Sequence, residues 1–357
     1  MPDTIPQMIP LEEARALVCG AVKKLPVEKV ALLDAVGRVV AADQVSDIDV
    51  SPFAHSAMDG FALRAAEISD ATDEAPATLR VVGEIGAGDV FEGAIGDGEC
   101  VRIMTGACLP DDADSVVKYE IVGVVEGDGK TGSVVSFAAP TDEGSNVRPA
   151  GEEARAGEVV LDAGTVLGAA GVGFLASCGV LEVPVYRRPR VAIIATGSEL
   201  VPPTEVPGPG KIRNSNSYAM AACAREAGAE AHMLPAVPDT FEGLRDAVAQ
   251  AARDYDFVVT TGGAANGDFD FIKPVVADLG ELMMTTVNMR PGKAQTFGIV
   301  EGTPVFGLPG NPAAAYVGFQ LLIRPALRTM QGYTFMDHPI VRARLATAEK
   351  NRDPRRI

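Results

Sequence analysis

Between Pro189 and Gln331, short apolar runs and amphipathic segments alternate almost without interruption. RVAIIATG (190–197), HMLPAV (232–237), DFVVTTGG (256–263) and PVFGLPG (304–310) are apolar stretches, rich in branched residues and cut by glycine or proline, and they predict buried strands. NSYAMAACAREAGAE (216–230), TFEGLRDAVAQAARDY (240–255), DFIKPVVADLG (270–280) and AAAYVGFQLLIRPAL (313–327) place apolar residues at helical spacing. Strands alternating with helices predict a parallel sheet covered on both faces, and such sheets bind ligands beyond the carboxyl ends of their strands. Upstream, Leu11, Ala14, Leu17, Val18 and Val22 predict an amphipathic helix from Leu11 to Lys24. From Thr78 to Phe137 the texture shifts to short Val and Ile runs broken by Gly and Asp, which predicts a small β domain. The glycine-rich stretch from Asn146 to Val183 then returns the chain to the first domain.

A length of 357 residues exceeds one ordinary core and implies two or more domains. No apolar run approaches the ~20 residues that span a bilayer, and the N-terminus lacks the basic start and apolar block of a secretory signal, so a cytoplasmic protein with no membrane partner is expected. Cys19, Cys100, Cys108, Cys178 and Cys223 are scattered, with no CxxC and only three histidines in the chain, which argues for reduced thiols and against disulfides or zinc. A formal charge of −17 argues against general nucleic-acid binding. An anionic small molecule would need a local site of backbone N–H groups, helix N-termini and a few basic residues.

Three predicted strand ends carry polar chemistry. The first runs into Ser198 and Glu199, the second into Gly267, Asp268 and Asp270, and the third into Asn311 and Pro312. Asn311 suits an N-cap and Pro312 a first helical position, which would leave the following N–H groups free for an anion; the plain alternative for LPGNP is a strand-to-helix turn. Gly262 and Gly263 can adopt turn conformations closed to other residues, while Gly307 and Gly310 permit close backbone approach. Asp268 and Asp270 either cap the next helix or hold a hard cation such as Mg²⁺. Lys293, in MRPGKAQTFG, adds a cation on a glycine hinge, or else is a solvated turn lysine.

Taken together, the blocks LLDAVGRVVAADQVSDIDVSPFAHSAMDGFAL (32–63), VRIMTGACLP (101–110), NVRPAGEE (146–153), VAIIATGSELV, IRNSNSYAM, TTGGAANGDFDF, RPGKAQTFG and FGLPGNPAAAY resemble the MoeA family of molybdopterin molybdenumtransferases, whose eukaryotic counterpart is the gephyrin E domain. The resemblance covers nearly the whole chain. It implies a multidomain α/β fold: an elongated N-terminal α/β domain (1–54 and 147–186), an inserted small β domain (55–146), a three-layer αβα molybdopterin-binding domain (187–332), and the start of a C-terminal β domain (333–357) of which most would be lacking. It implies that adenylylated molybdopterin and molybdate are converted to molybdenum cofactor and AMP with Mg²⁺ assisting. Asp59, Glu199 and Asp270 match family active-site acids, with Asp268 their neighbour as a metal ligand, and Thr105 matches a site threonine. Arg148, Glu153, Lys293, Pro309 and Pro312 fall on functional or site-lining positions, and Gly262, Gly263, Asn266, Gly267, Arg290, Gly310 and Asn311 are expected to line the molybdopterin site. Singly, Asp59 could cap a helix, Thr105 could serve a β turn, and Arg148 with Glu153 could form a weak surface pair.

The resemblance further implies a homodimer in which the SAMDG and MTGA loops reach the partner's cleft, a molybdopterin adenylyltransferase upstream, and molybdoenzyme acceptors downstream. The sequence departs from the family in four places: Ala265 and Asn266 replace the serine and small apolar residue of GGVSVGD, Arg290 replaces a lysine of KPGK, Cys108 replaces a proline of TGAPLP, and Glu153 replaces the aspartate of GED. Two other readings compete. Molybdopterin adenylyltransferases resemble residues 189–331 alone, so the SAMDG and MTGA blocks speak for insertion. A non-catalytic cofactor-binding scaffold is opposed by the retained acids.

Overall fold

The computed structural model describes residues 8–262, 271–344, 346–348 and 353. The chain forms two compact units, one of Asp43–Leu161 with Ala170–Leu181, the other of Met1–Ala42, Asp162–Ala169 and Glu182–Ile357.

The first unit is built on a six-stranded sheet. Its strands are β1 (Gly60–Leu63), β2 (Ala77–Ile85), β3 (Glu99–Ile103), β4 (Ser115–Lys118), β5 (Val122–Glu126) and β6 (Val134–Phe137), in the order β4-β1-β3-β2-β6-β5. Only β2 and β3 run parallel. Strand periodicity, together with a register shift between Val81 and Gly83 that turns Ile85 to the opposite face from Leu79 and Val81, sorts the side chains. Phe61, Leu63, Leu79, Val81, Val135 and Phe137 fill one core, while Ala62, Ile85, Val101, Ile103 and Val116 fill the other. Residues 43–54 and 147–161 belong to this same unit, tied by bonds such as Ser46 N–H to the Glu158 carbonyl and Val50 N–H to the Ala154 carbonyl. All five cysteines are free, and burial pushes the Cys100 thiol up to about 12.

The second unit holds the αβα layer. Helix α1 spans Leu11–Gly20, ending short of the expected Lys24 because the chain then extends and Leu25 N–H bonds to the Met330 carbonyl. In chain order follow β7 (Arg190–Ala195), α2 (Asn216–Glu226), β8 (Glu230–Met233), α3 (Phe241–Asp254), β9 (Phe257–Thr261), α4 (Ile272–Leu279), β10 (Gly280–Thr286), β11 (Ala294–Val300), β12 (Thr303–Leu308), α5 (Pro312–Gly318) and α6 (Arg324–Met330). Val191 and Ile193 on β7 and Phe257 and Val259 on β9 face α1, α2 and α5. Ala192, Ile194 and Val258 face α3 and α4. Period-two alternation of wholly apolar strands thus gives the sheet two buried faces.

The sheet order is β8-β7-β9-β12-β11-β10, and it is not all parallel. β8, β7, β9 and β12 are parallel, but β11 and β10 add as an antiparallel edge. The reason is local. Glu301 (φ 48°) and Gly302 (φ 84°) make a two-residue turn between Val300 and Thr303, and a link that short joins only antiparallel neighbours. The strand expected over 232–237 stops at Met233, ahead of Pro235, which has no N–H to give a ladder. The helix expected over 313–327 is interrupted by a π turn at Phe319–Ile323, just before Pro325 removes a donor and crowds the preceding turn. Among the described residues no helix is long and apolar enough to cross a membrane.

One ion pair ties this layer together. Arg187 reaches both oxygens of Asp256, at 2.8 and 2.6 Å, and Arg190 N–H donates to the same carboxylate at 2.7 Å. Burial pushes the Asp256 carboxyl up, but these bonds and the arginine charges outweigh it and hold the group below the usual carboxylate range. The pair's contribution is therefore fully present above the unfolded value of about 4 and lost as pH falls through the lower folded value. Asp256→Ala, which strands a part-buried guanidinium, is expected to cost about 2 kcal/mol at neutral pH, read from the denaturant midpoint. The gap to wild type should narrow below pH ~4, and a pH-independent gap would show that the charge is not responsible.

Candidate active site at the strand ends

Ala195 lies in register with Thr261, and Thr261 with Leu308, so β7, β9 and β12 end at one level. Two bonds beyond the strands keep the ends laced: Thr196 N–H to the Thr261 carbonyl at 2.9 Å, and Gly262 N–H to the Leu308 carbonyl at 3.2 Å. Gly262 has φ 94°, and a Cβ there would stand 2.2 Å from the Thr196 carbonyl oxygen. Only glycine fits this position. Gly310 lies on the other side, where a Cβ would meet only the Gly262 Cα at 3.6 Å.

Above these ends opens a cleft of about 80 Å³, whose lining includes Thr196, Glu199, Arg213, Asn216, Gly262 and Gly310. Asn216, at the start of α2, donates through Nδ2 to Thr261 Oγ1 at 2.8 Å and to the Gly310 carbonyl at 2.9 Å. Its Oδ1 and the Thr196 hydroxyl are buried and have no partner among the described residues. Unsatisfied polar atoms on the wall of a cleft are what a polar ligand would complete.

The turn bearing Glu199 is pinned from two sides. Ser198 N–H donates to Asp239 Oδ2 at 2.9 Å, and the Ser198 carbonyl accepts from Lys211 Nζ at 2.6 Å. Glu199 itself is exposed. Sequence reasoning did not single out Thr196, Asn216 or Asp239. Asn216 stood in the quoted IRNSN block without a role, and Asp239, two residues before α3, carries no signal beyond that of a helix-start acid.

At the third strand end Asn311 caps α5, accepting from Ala313 N–H at 3.0 Å and Ala314 N–H at 3.3 Å, with Pro312 at the first helical position. This corrects the expectation of free N–H groups for an anion. The cap consumes two, and proline has none to offer. Pro309 is half-buried beside it. The loop bearing Arg290 and Lys293 joins β10 to β11 and packs on the start of α5, since a Cβ on Gly292 would lie 3.3 Å from the Ala314 carbonyl oxygen. Lys293 is exposed, and Arg290 pairs with Asp353 at 2.7 Å. Gly263, Ala265, Asn266, Gly267, Asp268 and Asp270 lie outside the described residues.

The remaining expected residues sit in the first unit. Asp59 Oδ1 accepts from both the N–H and the hydroxyl of Thr105, each at 2.7 Å, rather than capping a helix. The Thr105 hydroxyl and then its N–H, helped by the Arg102 charge, hold the exposed Asp59 carboxyl below its usual range. It is an anion at neutral pH, suited to holding a cation and unsuited to donating a proton. Arg148 pairs with Glu152 at 3.4 Å, not with Glu153, whose side chain is exposed while its N–H bonds to the Val50 carbonyl. Among the described residues no group of three or more His, Cys, Asp or Glu is gathered to hold a metal.

Two family models match the chain: the MoeA N-terminal region (domain I and II) over residues 9–179, and the probable molybdopterin binding domain over residues 192–329. The molybdopterin molybdenumtransferase of Bacillus subtilis (strain 168) is 41% identical over 322 residues, 90% of this chain and 74% of that protein. The chain belongs to the molybdopterin molybdenumtransferase, or MoeA, family. A second member, from Staphylococcus aureus (strain COL), is 36% identical over 94% of this chain and 79% of its own length. The MoeA fold is shared with the molybdopterin biosynthesis protein of Pyrococcus horikoshii OT3, at a TM-score of 0.78 and 30% identity, covering 92% of this chain and 80% of that one. The Thr196, Asn216, Gly262 and Gly310 cleft thus lies in the segment matched by the molybdopterin binding model of the MoeA family, and the Asp59–Thr105 corner in the segment matched by its N-terminal model.

The glycine geometry gives a paired test. Gly262→Ala is expected to destabilise by about 2 kcal/mol or more, while Gly310→Ala stays within about 0.5 kcal/mol of wild type. Equal unfolding midpoints for the two variants would refute the steric role of Gly262.

Proposed function

We propose that this chain is a molybdopterin molybdenumtransferase that converts adenylylated molybdopterin and molybdate to molybdenum cofactor and AMP. The observation that carries the reading is the presence, in one chain, of both the MoeA N-terminal region and the molybdopterin binding domain. Adenylylation would call on the second segment alone. The strand-end cleft offers, among the described residues, an unpartnered Thr196 hydroxyl that can donate to an anion, an unpartnered Asn216 Oδ1 that can accept from a ligand N–H, and close backbone approach at Gly262 and Gly310. Lys293 adds positive charge on the neighbouring hairpin loop, where the Arg290 guanidinium is paired with Asp353, against a net charge of −17.

Mg²⁺ is part of the proposal. Glu199 and Asp239 are oxygen-only donors whose hardness fits this ion, and both border the Ser198 turn. Asp268 and Asp270 follow β9 in sequence and would extend the set. When bound, the ion would neutralise charge on the pyrophosphate oxygens. Asp59, held in place by Thr105, is the acid that the first unit contributes. We further propose a homodimer with two shared clefts, in which the Asp59–Thr105 corner of one subunit serves the strand-end cleft of the other.

The test is AMP release from adenylylated molybdopterin in the presence of Mg²⁺ and molybdate. Asp59→Ala is expected to lower molybdate-dependent release by about a hundredfold or more, on the scale of losing one preorganised charge. Substrate binding without release would favour the scaffold reading, and consumption of ATP with free molybdopterin would favour adenylylation. Sharing has its own readout. Co-expression of Asp59→Ala with Glu199→Ala should restore about a quarter of wild-type release, since half the dimers are mixed and each mixed dimer has one intact cleft. No recovery in verified mixed dimers would mean each cleft draws both acids from one chain.

A further inference from the structure

Asp59 is held through its backbone as well as its carboxylate. Oδ1 takes the N–H and the hydroxyl of Thr105, and the Asp59 carbonyl accepts from Tyr119 N–H at 3.0 Å. Thr105 follows β3 and Tyr119 follows β4, so the acid, which precedes β1, is carried between the ends of its two neighbouring strands. Gly60 permits that close fit, since a Cβ there would stand 2.2 Å from the Val117 carbonyl oxygen.

The spacing of those two strand ends is set by side chains. Arg102, three residues before Thr105, is in register with Phe61 on β1, which puts both side chains on one face. Its guanidinium lies over the Tyr119 ring, 5.1 Å from the centroid, and the same ring stacks on Phe61 at 6.0 Å and 22°. The hairpin between β5 and β6 comes in beside them: a Cβ on Gly129 would lie 3.8 Å from the Tyr119 ring, and Arg102 Nη1 reaches the Gly129 carbonyl at 3.4 Å. Phe61 is fully buried and fixed, whereas Tyr119 is 40% exposed and depends on such contacts for its place.

Hydrogen bonding does not account for an arginine here. Its Nε is buried with no partner among the described residues, and its Nη1 bond is long. Glu84, in register with it on β2, accepts from Thr131 N–H rather than from the guanidinium. A flat cation that leaves donors unused is placed for its face, and a guanidinium stacks on an aromatic ring better than an ammonium does.

We propose that Arg102 is a positioning residue for Asp59, acting through the ring of Tyr119; the inference rests on the function proposed above. The contacts close a circuit. It runs from the Asp59 carboxylate to Thr105, back along β3 to Arg102, across to the Tyr119 ring, and from Tyr119 N–H to the Asp59 carbonyl. With the stack in place, the ends of β3 and β4 keep their separation, and Asp59 presents its carboxylate in one direction. Without it, Thr105 and Tyr119 move independently, and displacing a reacting group by about an ångström costs on the order of a hundredfold in rate.

The experiment follows molybdate-dependent AMP release by Arg102→Leu, Tyr119→Leu and the double variant, each shown to be folded by its unfolding midpoint. Each single change is expected to lower kcat by about tenfold with KM held within about twofold, and the double variant to be no worse than the weaker single. Tyr119→Phe, which keeps the ring, should recover most of the loss seen with Tyr119→Leu. In an Asp59→Ala background, adding Arg102→Leu should change nothing further, because no acid is left to place. Amide exchange gives a readout independent of turnover: Thr105 and Tyr119 should exchange about tenfold faster in Arg102→Leu than in wild type. If Arg102→Leu does not fold, Arg102→Gln carries the same expectations. Undiminished kcat in a folded Arg102 variant would overturn the inference and leave the function intact. So would a further loss in the Asp59→Ala background, or a raised KM with kcat held, either of which would have Arg102 act on the substrate itself. If the wild type releases no AMP, the function fails; the exchange rates then decide whether Arg102 holds Asp59, and wild-type exchange would end that idea too.

Discussion

The approach of Gly262 to the carbonyl of Thr196 is the constraint on which the cleft depends. A side chain at that position would push β7 and β9 apart just where their ladder ends, and the Asn216 amide could no longer span from Thr261 to Gly310. Three strand ends separated by long stretches of sequence are thus held in one plane by a missing side chain and one bridging amide. The hydrophobic layers beneath fix the strands, but they are indifferent to what emerges above them. The final turn of each strand decides whether the rim is a binding site or a set of unrelated loops.

The acids are prepared differently in the two units. Asp59 is exposed, yet two bonds from one residue fix its aim and hold its carboxyl below the usual range. Around Glu199 the backbone, not the carboxylate, is anchored, through Ser198 to Asp239 and Lys211. An anchored backbone leaves a long glutamate side chain to find its own geometry around a ligand, whereas a clamped aspartate can serve only where its loop is delivered.

Most of the architecture was legible in the sequence because buried strands and amphipathic helices leave strong periodic signatures, and both recur from Pro189 onward. The errors were local and chemical. The antiparallel edge lies in ELMMTT and AQTFGIV, two segments outside the strands expected from the pattern, although Asn288, Pro291 and Gly292 between them and the Glu301–Gly302 pair after them mark the turns that set the direction. The LPGNP loop was read correctly as a cap but wrongly as an open anion site, because a cap by its nature consumes the N–H groups it faces. Family resemblance supplied Asp59, Glu199 and Thr105. The partners that anchor the Glu199 turn, Asp239 and Lys211, act across space through the Ser198 backbone, which periodicity and motif reading do not reach.

The Glu301–Gly302 turn has a bearing on how the layer assembles. β10, β11 and β12 follow one another as a meander, so their pairing closes short loops at small entropic cost, whereas β7 can join β9 only after two helices and a strand have been threaded between them. Loop-closure entropy thus favours growth of the sheet from its antiparallel edge toward β8. In that sequence of events the rim over β7 and β9 is completed last, and a nascent chain would present an ordered hairpin well before its strand-end cleft existed.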